Sequence, residues 1–265
     1  MWDAERYVQF ARDYSRPFRD LLAQLRRDDV GTVVDLGCGP GDLTRLLLER
    51  WPSARVIGLD ASPEMLRQAR AGPSYPRLTF VQGDLAAWQP ERPVDLVVSN
   101  AALQWVPNHA ALLRHLVGLL APGGTLAVQM PDHFAMPVAR AIAEAAADPR
   151  WQARLAGAGL QPDTVQPLTW YVEQLRGLGL EVDAWETTYV RVWRGENPVR
   201  DWMQATALRP LLARLHPDEQ RSFLHVVGER FLAYYPQTGG VTLAASRRLF
   251  FVASRRNEPP RDRGD

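Results

Sequence analysis

The first half of the chain alternates short apolar runs with amphipathic stretches, and this alternation limits the possible folds more than any other feature. Five apolar runs have the length of buried strands: Thr32 to Leu36, Arg55 to Leu59, Leu78 to Gln82, Leu96 to Ser99 and Thr125 to Met130. Three segments between them have a helical pattern: Asp42 to Arg50, Pro63 to Ala71 and Ala110 to Leu120. Strands that alternate with helices predict repeated βαβ units and a parallel sheet.

Local signals set the expected ends of these elements. Asp42 is predicted to cap the first helix, and Ser62 followed by Pro63 is a helix-start signal. The segment Ala121 to Gly124 is predicted to end the third helix and turn the chain into the fifth strand.

The pattern changes after Pro131. Helical stretches are predicted near Pro137 to Ala147, Leu168 to Leu178, after Asn197-Pro198, and from His216-Pro217 to about Tyr235. Glu181 to Trp193 alternates as a long strand, and Arg248 to Ala253 is a final apolar strand. We therefore expect one α/β core with a helical insertion.

Composition narrows the chemistry. The only cysteine is Cys38, which excludes an intramolecular disulfide and a multi-cysteine zinc site. All 31 basic residues are arginine, so mechanisms that need a lysine are excluded. A net charge of +1 without a basic stripe before the tail argues against nucleic-acid binding. The N-terminus lacks the pattern of a secretion signal, and no apolar run approaches the roughly 18 residues that span a bilayer. We expect a cytosolic location.

The segment from Asp35 to Asp42 lies directly after a predicted strand and before a predicted helix. Its three glycines, Gly37, Gly39 and Gly41, allow backbone to approach a ligand closely, and the following helix points N–H groups at it. This loop predicts a nucleotide-type cofactor.

Two further carboxylates follow strand ends. Asp60, followed by Ala61, is placed to accept the ribose hydroxyls of an adenosine cofactor. Asp84 is placed to accept a hydrogen bond from the adenine amino group, while Leu85 packs on the adenine ring. With Asp35, three carboxylates then share one edge of an open α/β sheet.

The charge of the loop favours one cofactor over another. A nicotinamide dinucleotide needs Gly-x-Gly-x-x-Gly, whereas the spacing here is Gly-x-Gly-x-Gly. Asp35 would repel a pyrophosphate but suits the ammonium of a methionine moiety. We therefore predict S-adenosylmethionine.

Three segments resemble the successive motifs of class I S-adenosylmethionine-dependent methyltransferases: Val34 to Gly41, Gly58 to Met65 and Gly83 to Leu85. Four others are similar to the trans-aconitate 2-methyltransferase family: Ser99 to Pro107, Ala127 to Asp132, Trp185 to Tyr189 and Thr206 to Pro210. The resemblance extends from about Tyr7 to Arg256, while 132–134 and 147–163 carry no recognisable family signature.

The resemblance implies a cytosolic enzyme that esterifies one carboxylate of trans-aconitate or a related small polycarboxylate. It also implies a Rossmann-like α/β fold with a seven-stranded, mostly parallel sheet, whose strands from Glu181 and Arg248 form an antiparallel edge hairpin. The expected organisation is a single domain over 1–256 with a disordered tail at 257–265. Its parts are an N-terminal helical cover (1–28), a cofactor-binding core (29–131), helical substrate-cap insertions (132–180 and 195–240) and edge strands (181–193 and 247–254).

A carboxylate acceptor is already ionised at pH 7, so no residue is required as an acid or base. We expect catalysis by proximity and in-line orientation. The five histidines are then expected to be solvated or structural. Asn100 is predicted to hold the methionine part of the cofactor or the loop after the fourth strand. The candidates for substrate binding are cationic, hydroxyl, amide or aromatic side chains: Arg16, Trp105, Gln129, Tyr189, Arg209, Tyr235 and Arg248, with Tyr7 as a further hydroxyl donor.

Other functions stay open on the sequence. The stretch from Ser99 to Trp105 is also similar to methyltransferases that act on malonyl-carrier thioesters. A non-catalytic cofactor-binding module and a nicotinamide oxidoreductase are the alternatives from other classes. The sequence does not define the oligomeric state.

Overall fold

A computed structural model describes residues 15–132, 136–158 and 164–256. Tyr7, His133 and the tail predicted at 257–265 lie outside these residues. The chain divides into two compact units. Among the described residues, the sheet unit comprises 17–130, 166–186 and 249–256, and the helical unit comprises 15–16, 131–132, 136–158, 164–165 and 187–248.

The sheet follows the predicted α/β pattern. Its strands are β1 (Thr32–Leu36), β2 (Arg55–Asp60), β3 (Leu78–Gln82), β4 (Val94–Asn100), β5 (Leu120–Pro131), β6 (Leu180–Trp193), β7 (Gln237–Thr238) and β8 (Val241–Arg255). The order is β3-β2-β1-β4-β5-β8-β6, and β7 pairs antiparallel with β8 off this path. The pairs β1–β2, β1–β4, β2–β3 and β4–β5 are parallel. The mostly parallel sheet with the strands from Glu181 and Arg248 at one edge is therefore confirmed, with β7 as an additional short strand.

The central strands are apolar along most of their length because both of their faces are covered. In β1, Val33, Val34 and Leu36 are fully buried. The helices of the sheet unit are α1 (15–23), α2 (Asp42–Arg50), α3 (Pro63–Ala71), α4 (His109–Gly118) and α7 (Leu168–Gly177), with a 3-10 helix at Leu103–Trp105. The first two residues of α1 belong to the helical unit. The predicted bounds of the second and third of these helices are reproduced.

The helical unit contains α5 (Pro137–Ala146), α6 (Gln152–Leu155), α8 (Pro198–Gln204), α9 (Arg209–Leu212) and α10 (Pro217–Tyr234). These helices pack around an apolar cluster that includes Trp151, Trp202, Phe223 and Phe231. The short helices α6 and α9 and the strand β7 were not predicted, because segments of this length carry too little periodicity to stand out. In the described part of the chain, no helix combines the length and apolar character needed to cross a membrane.

Two local predictions are wrong. Asp42 does not cap α2: the N-cap is Gly41, in the left-handed region at φ 79°, without a side-chain capping bond. The segment Ala121 to Gly124 lies inside β5, because α4 already ends at Gly118 and the irregularity is absorbed as a register shift opposite β4. The Ser62 cap is confirmed, since its hydroxyl accepts from the Met65 N–H at 3.3 Å.

Candidate active site

The loop after β1 lies where the strand order of the sheet reverses. β1 pairs with β2 on one side and with β4 on the other. Open α/β sheets bind ligands beyond the carboxyl ends of the strands at this switch point. The N–H groups of Gly37 and Cys38 both donate to the carbonyl of Leu59, at 2.8 and 2.9 Å, and thereby tie the loop to the end of β2.

The three loop glycines adopt left-handed conformations that other residues rarely take, with φ of 77° at Gly37, 55° at Gly39 and 79° at Gly41. A Cβ on Gly37 would lie 2.3 Å from the Cβ of Ala102, so this glycine lets the loop after β4 approach. A Cβ on Gly39 would meet no atom within 4 Å. Gly39 therefore borders open space into which a ligand can bring its polar groups against backbone.

Asp60 shapes the same loop. Its Oδ2 accepts from the Gly39 N–H at 2.9 Å, and its Oδ1 accepts from the Ser62 N–H at 2.8 Å. An ionised carboxylate offers about four acceptor positions, so two remain for further donors such as ribose hydroxyls. The neighbouring Ala61 is exposed and adds no side chain that would obstruct a ligand.

Asp35 is a carboxylate buried at the end of β1, with 3% of its surface exposed. The Thr44 hydroxyl donates to its Oδ2 at 2.6 Å. Burial raises the pKa of Asp35 to about 6; the Thr44 hydrogen bond opposes this rise, and the charge of Asp60 adds to it. An approaching cation would restore the charged form of Asp35.

Asp84 and Leu85 follow β3. Asp84 is exposed, and its Oδ1 accepts from the Ala86 N–H at 2.9 Å, which holds the turn. Leu85 is half-buried. A rigid carboxylate beside a partly exposed aliphatic side chain is suited to an adenine amino group and ring face.

Two amide side chains at the ends of β4 and β5 are not satisfied by the described residues. Asn100 and Gln129 are register partners on adjacent parallel strands, so their side chains leave the same face of the sheet. Gln129 is fully buried, and neither its Oε1 nor its Nε2 has a hydrogen-bond partner among those residues; the same holds for Oδ1 of Asn100. Each such buried group costs about 1–3 kcal/mol, which a ligand would recover.

The loop after β4 contains a further candidate residue that the sequence patterns do not predict. Ala101 is held at φ 54°, a strained conformation for a residue with a side chain. Gln104 is 3% exposed; its Nε2 donates to the Ala101 carbonyl at 2.7 Å, while its Oε1 is buried without a partner in the described chain. Trp105, next in the 3-10 helix, is 41% exposed. An exposed tryptophan beside a buried, unsatisfied amide marks Gln104 as a further candidate.

Three substrate candidates of the helical unit take part in two side-chain contacts, one between Arg16 and Tyr189 and one between Arg248 and Ser246. The guanidinium of Arg16, an exposed residue, lies over the ring of the buried Tyr189, 5.1 Å from its centroid. Arg248 is 3% exposed, and its Nε donates to the Ser246 hydroxyl at 3.2 Å. These positions stay predictions for substrate binding.

The other two candidates of this unit lie in different surroundings. Arg209 is an exposed residue at the start of α9. Tyr235 belongs to the apolar cluster, and burial raises the pKa of its hydroxyl, opposed by a hydrogen bond with the backbone of Val138. Tyr235 therefore combines packing in this cluster with a hydrogen bond to the backbone of Val138.

Arg191 was not predicted as a site residue, and its surroundings in β6 identify it as a further candidate. Tyr189 and Arg191 are buried while Val190 and Val192 are 60% and 64% exposed, so the strand turns valines outward and an arginine inward. The Arg191 guanidinium lies 4.6 Å from the ring centroid of Trp202 and 5.7 Å from that of Trp193. Aromatic faces stabilise a buried guanidinium and leave its edge for hydrogen bonds.

The sheet unit fits a cofactor with an adenosyl group and a cationic end. Asp60 and Asp84 are acceptors for hydroxyl and amino groups, and Gly39 opens the backbone to a ligand. Asp35 and the unsatisfied Oδ1 of Asn100 are acceptors at the ends of β1 and β4. An acceptor-rich edge suits a cation and is unfavourable for a phosphate.

Comparisons with known proteins agree with a site for such a cofactor. Residues 33–124 match the family described as "Methyltransferase domain". The chain is 45% identical over 258 residues to "Trans-aconitate 2-methyltransferase" of Streptomyces avermitilis, covering 95% of this chain and 96% of that protein. It is 44% identical over 258 residues to the protein of the same name from Azoarcus sp., covering 96% and 99%.

Solved structures support the fold. A putative methyltransferase from Bacillus halodurans aligns with a TM-score of 0.58 at 17% identity, covering 90% of this chain and 98% of that one. The putative methyltransferase of Haloferax volcanii, solved in complex with its Trm112 activator, aligns with a TM-score of 0.54 at 21% identity, covering 96% and 95%. The predicted class I methyltransferase fold and the predicted cofactor are thereby confirmed. The chain belongs to the trans-aconitate 2-methyltransferase family of S-adenosylmethionine-dependent methyltransferases.

Proposed function

We propose that this chain transfers a methyl group from S-adenosylmethionine to one carboxylate of trans-aconitate, or of a similar small polycarboxylate, to form a monomethyl ester. Relatives at 45% and 44% identity carry the name trans-aconitate 2-methyltransferase. The observation that carries the proposal is the fully buried Gln129, whose amide has no partner in the described chain. Its Nε2 is a neutral donor that suits a carboxylate, because hydrogen bonds to an ion are stronger than those to a neutral group.

The sheet unit supplies the cofactor ligands of the proposal. Asp60 would accept hydrogen bonds from the ribose hydroxyls, and Asp84 would accept one from the adenine amino group. Asp35 and Asn100 would accept hydrogen bonds from the ammonium of the methionine moiety. When bound, S-adenosylmethionine supplies a methyl group that is already activated by its sulfonium. The protein then needs to hold and orient the reactants, which can supply a large part of the rate enhancement.

The reaction needs no proton transfer. A carboxylic acid with a pKa of about 4 is ionised at pH 7. The carboxylate oxygen would be the nucleophile that forms the new C–O bond, and S-adenosylmethionine would supply the methyl group, with its sulfur as a leaving group that keeps the electron pair of the broken C–S bond. Gln129 would orient the reacting carboxylate, and Trp105 would form an apolar wall that excludes water. No acid or base residue is part of the proposal.

The remaining substrate ligands are the arginine and tyrosine candidates. Arg16, Arg209 and Arg248 would neutralise carboxylates that do not react, and Tyr189 and Tyr235 would donate hydroxyl hydrogen bonds. Guanidinium binds carboxylate through two parallel N–H donors, which gives orientation as well as charge compensation. We further propose that segments 132–180 and 195–240 form a substrate cap, that the enzyme works in the cytoplasm, and that it does not bind nucleic acid.

The test is a product assay. Purified protein is incubated with methyl-labelled S-adenosylmethionine and, separately, with trans-aconitate, cis-aconitate, isocitrate or a malonyl carrier, and products are identified by mass spectrometry. We expect a monomethyl ester of trans-aconitate at the highest kcat/KM. Methylation of the malonyl carrier alone would identify the carrier-thioester activity instead. Cofactor binding without transfer to any acid would indicate a non-catalytic module.

A further inference from the structure

We propose that His109 and Tyr171 are positioning residues for the acceptor reaction, because their hydrogen-bonded pair holds the loop that carries Gln104 and Trp105. This inference rests on the proposed function. Neither residue belongs to the cofactor or substrate candidates, and both are buried in the sheet unit, with 4% of His109 and 0% of Tyr171 exposed. Their effect on the reaction is therefore indirect and passes through the loop after β4.

The hydrogen bonds of His109 define its proton. Its Nε2 lies 2.9 Å from the carbonyl oxygen of Leu103. A carbonyl only accepts, so Nε2 carries the hydrogen and Nδ1 of the neutral ring is an acceptor. The Tyr171 hydroxyl, 2.5 Å from Nδ1, is then the donor. Burial lowers the pKa of His109, although hydrogen bonds with the backbone of Leu103 and Val106 oppose this, and the ring stays neutral at pH 7.

Tyr171 is fixed by further contacts, one of which is the Met130 Sδ atom, 3.9 Å from its hydroxyl oxygen. Its hydroxyl oxygen accepts from the Gln166 N–H at 3.1 Å. Its ring stacks on Phe251 of β8, with 5.4 Å between centroids and 22° between planes, and meets the edge of Trp170 at 5.1 Å. The hydroxyl therefore has a defined position, and a donor held this firmly fixes the orientation of the imidazole that it contacts.

The carbonyl bonded to His109 begins the 3-10 helix Leu103–Trp105. This helix follows the strained Ala101 and carries the unsatisfied Oε1 of Gln104 and the exposed ring of Trp105. Besides the His109 bond, three bonds within the loop close it: from Trp105 N–H to the Ala102 carbonyl, from Val106 N–H to that of Leu103, and from Gln104 Nε2 to that of Ala101. The loop is also held at its start, where the Ala101 N–H donates to the Gln129 carbonyl at 2.8 Å. Strained backbone persists only where its surroundings hold it, and the His109 bond holds the part of the loop beyond Ala101.

The loop also contacts the cofactor side of the site, because Ala102 packs against Gly37. A loop that moves would misplace the acceptor relative to the methyl group, and small displacements of this kind reduce rates strongly. Of the proposed cofactor ligands, Asp60 ends β2 and Asp84 follows β3, while Asn100, which directly precedes the loop, is held in β4 by its pairing with Gln129 of β5. Loss of the pair should therefore reduce acceptor turnover while leaving cofactor affinity close to that of the wild type.

The experiment compares Tyr171→Phe, which removes only the hydroxyl, with His109→Leu and with His109→Gln, whose amide can still donate to Leu103. His115→Leu is the matched control, since His115 lies on the same helix and its buried Nε2 has no partner in the described chain. Tyr75→Phe, at an exposed tyrosine, controls for loss of a hydroxyl. The readouts are amide hydrogen exchange over 101–108, the dissociation constant of S-adenosylmethionine, and kcat and KM for the acid that the wild type methylates.

We expect Tyr171→Phe and His109→Leu to raise the exchange of Trp105 and Val106 and to lower kcat/KM about tenfold, the effect of one lost hydrogen bond. Cofactor affinity should stay within about twofold of the wild type, and His109→Gln should recover part of the loss. Unchanged hydrogen exchange would overturn the proposal, because the pair would then not hold the loop. Altered exchange with wild-type kcat/KM would also overturn it, because the pair would then have a purely structural role. If the wild type methylates none of the acids, the proposed function fails, while the exchange measurement still decides whether the pair holds the loop.

Discussion

The two units of the molecule present their candidate residues in different ways. In the sheet unit, Asp35, Asp60 and Asp84 follow successive strands at one edge, and the loop glycines lie within a few residues of Asp35. In the helical unit, Arg16, Tyr189, Arg209, Tyr235 and Arg248 come from five separate segments. The candidate cofactor site in the sheet unit follows from strand order and backbone conformation. The substrate candidates in the helical unit depend instead on individual side chains from segments that are distant in sequence. Variants of the two units should therefore separate cofactor affinity from acceptor affinity.

The largest expected effect is on the cofactor. Asp60→Ala removes the acceptor of the Gly39 and Ser62 N–H groups and of the proposed ribose hydroxyls. We expect the dissociation constant of S-adenosylmethionine to rise about 100-fold, close to 3 kcal/mol for two charge-assisted bonds, by calorimetry. Asp28→Ala is the control, since Asp28 is an exposed partner of Arg50. Wild-type affinity in Asp60→Ala would remove the basis for assigning the cofactor to this edge.

A second substitution in the same unit should change stability and affinity in opposite directions. The raised pKa of Asp35, about 6, means that its charged form is disfavoured in the folded state. The cost is absent below the ordinary pKa of 3.8, grows as pH rises towards 6, and reaches about 3 kcal/mol above it. Asp35→Asn should therefore raise the Tm of the cofactor-free protein at pH 7.5 but not at pH 4.

The same variant should bind S-adenosylmethionine about tenfold or more weakly, because it cannot become charged opposite an ammonium. Thermal unfolding across this pH range, followed by titration with cofactor, measures both effects. An equal gain in Tm at pH 4 and pH 7.5 would contradict the assignment of the cost to Asp35. Unchanged affinity would mean that the methionine ammonium lies elsewhere.

In the helical unit, Arg248→Gln should affect the acceptor alone. Removing a buried guanidinium that binds a carboxylate costs about 2 kcal/mol, or roughly a 30-fold rise in acceptor KM. The dissociation constant of S-adenosylmethionine should not change. Arg230→Gln provides the control, because Arg230 forms an ion pair with Glu144 in the same unit at 2.7 Å. A large loss of cofactor affinity in Arg248→Gln would break the division of roles between the units.

The smallest effect is expected at Gln129, which belongs to the sheet unit but is assigned to the acceptor. Gln129→Leu removes two buried, unsatisfied atoms, so the free energy of unfolding should rise by about 1 kcal/mol. The same change should lower kcat/KM for the acceptor about tenfold through the lost hydrogen bond. Denaturant unfolding and steady-state kinetics measure the two effects, and Gln68→Leu on α3 is the control. A less stable Gln129→Leu would mean that this amide already has a partner.

The sequence predicted well where function follows from the backbone. Strand–loop–helix periodicity located the loop after β1, and the family resemblance placed β6 and β8 at the sheet edge. The sequence was a poor guide where the backbone conformation of the folded chain or its long-range packing determines the role of a residue. Asp42 has a good capping side chain, but the left-handed Gly41 occupies the cap. Gln104 and Arg191 stayed unnoticed, because only the folded chain shows that one is unsatisfied and that the other is buried.

Cys38 gives the cofactor loop a built-in reporter. Burial raises the pKa of its thiol, and the charges of Asp35 and Asp60 raise it further, so the reactive thiolate is scarce while the loop is closed. Because it is the only cysteine in the sequence, all thiol reagent that the native protein consumes reports on this position, and when reclosing is faster than labelling the rate is proportional to the population in which Cys38 is accessible. The labelling rate thus gives the opening free energy without any mutation or attached dye, and the slowing of that rate by a bound ligand measures how firmly the ligand closes the loop.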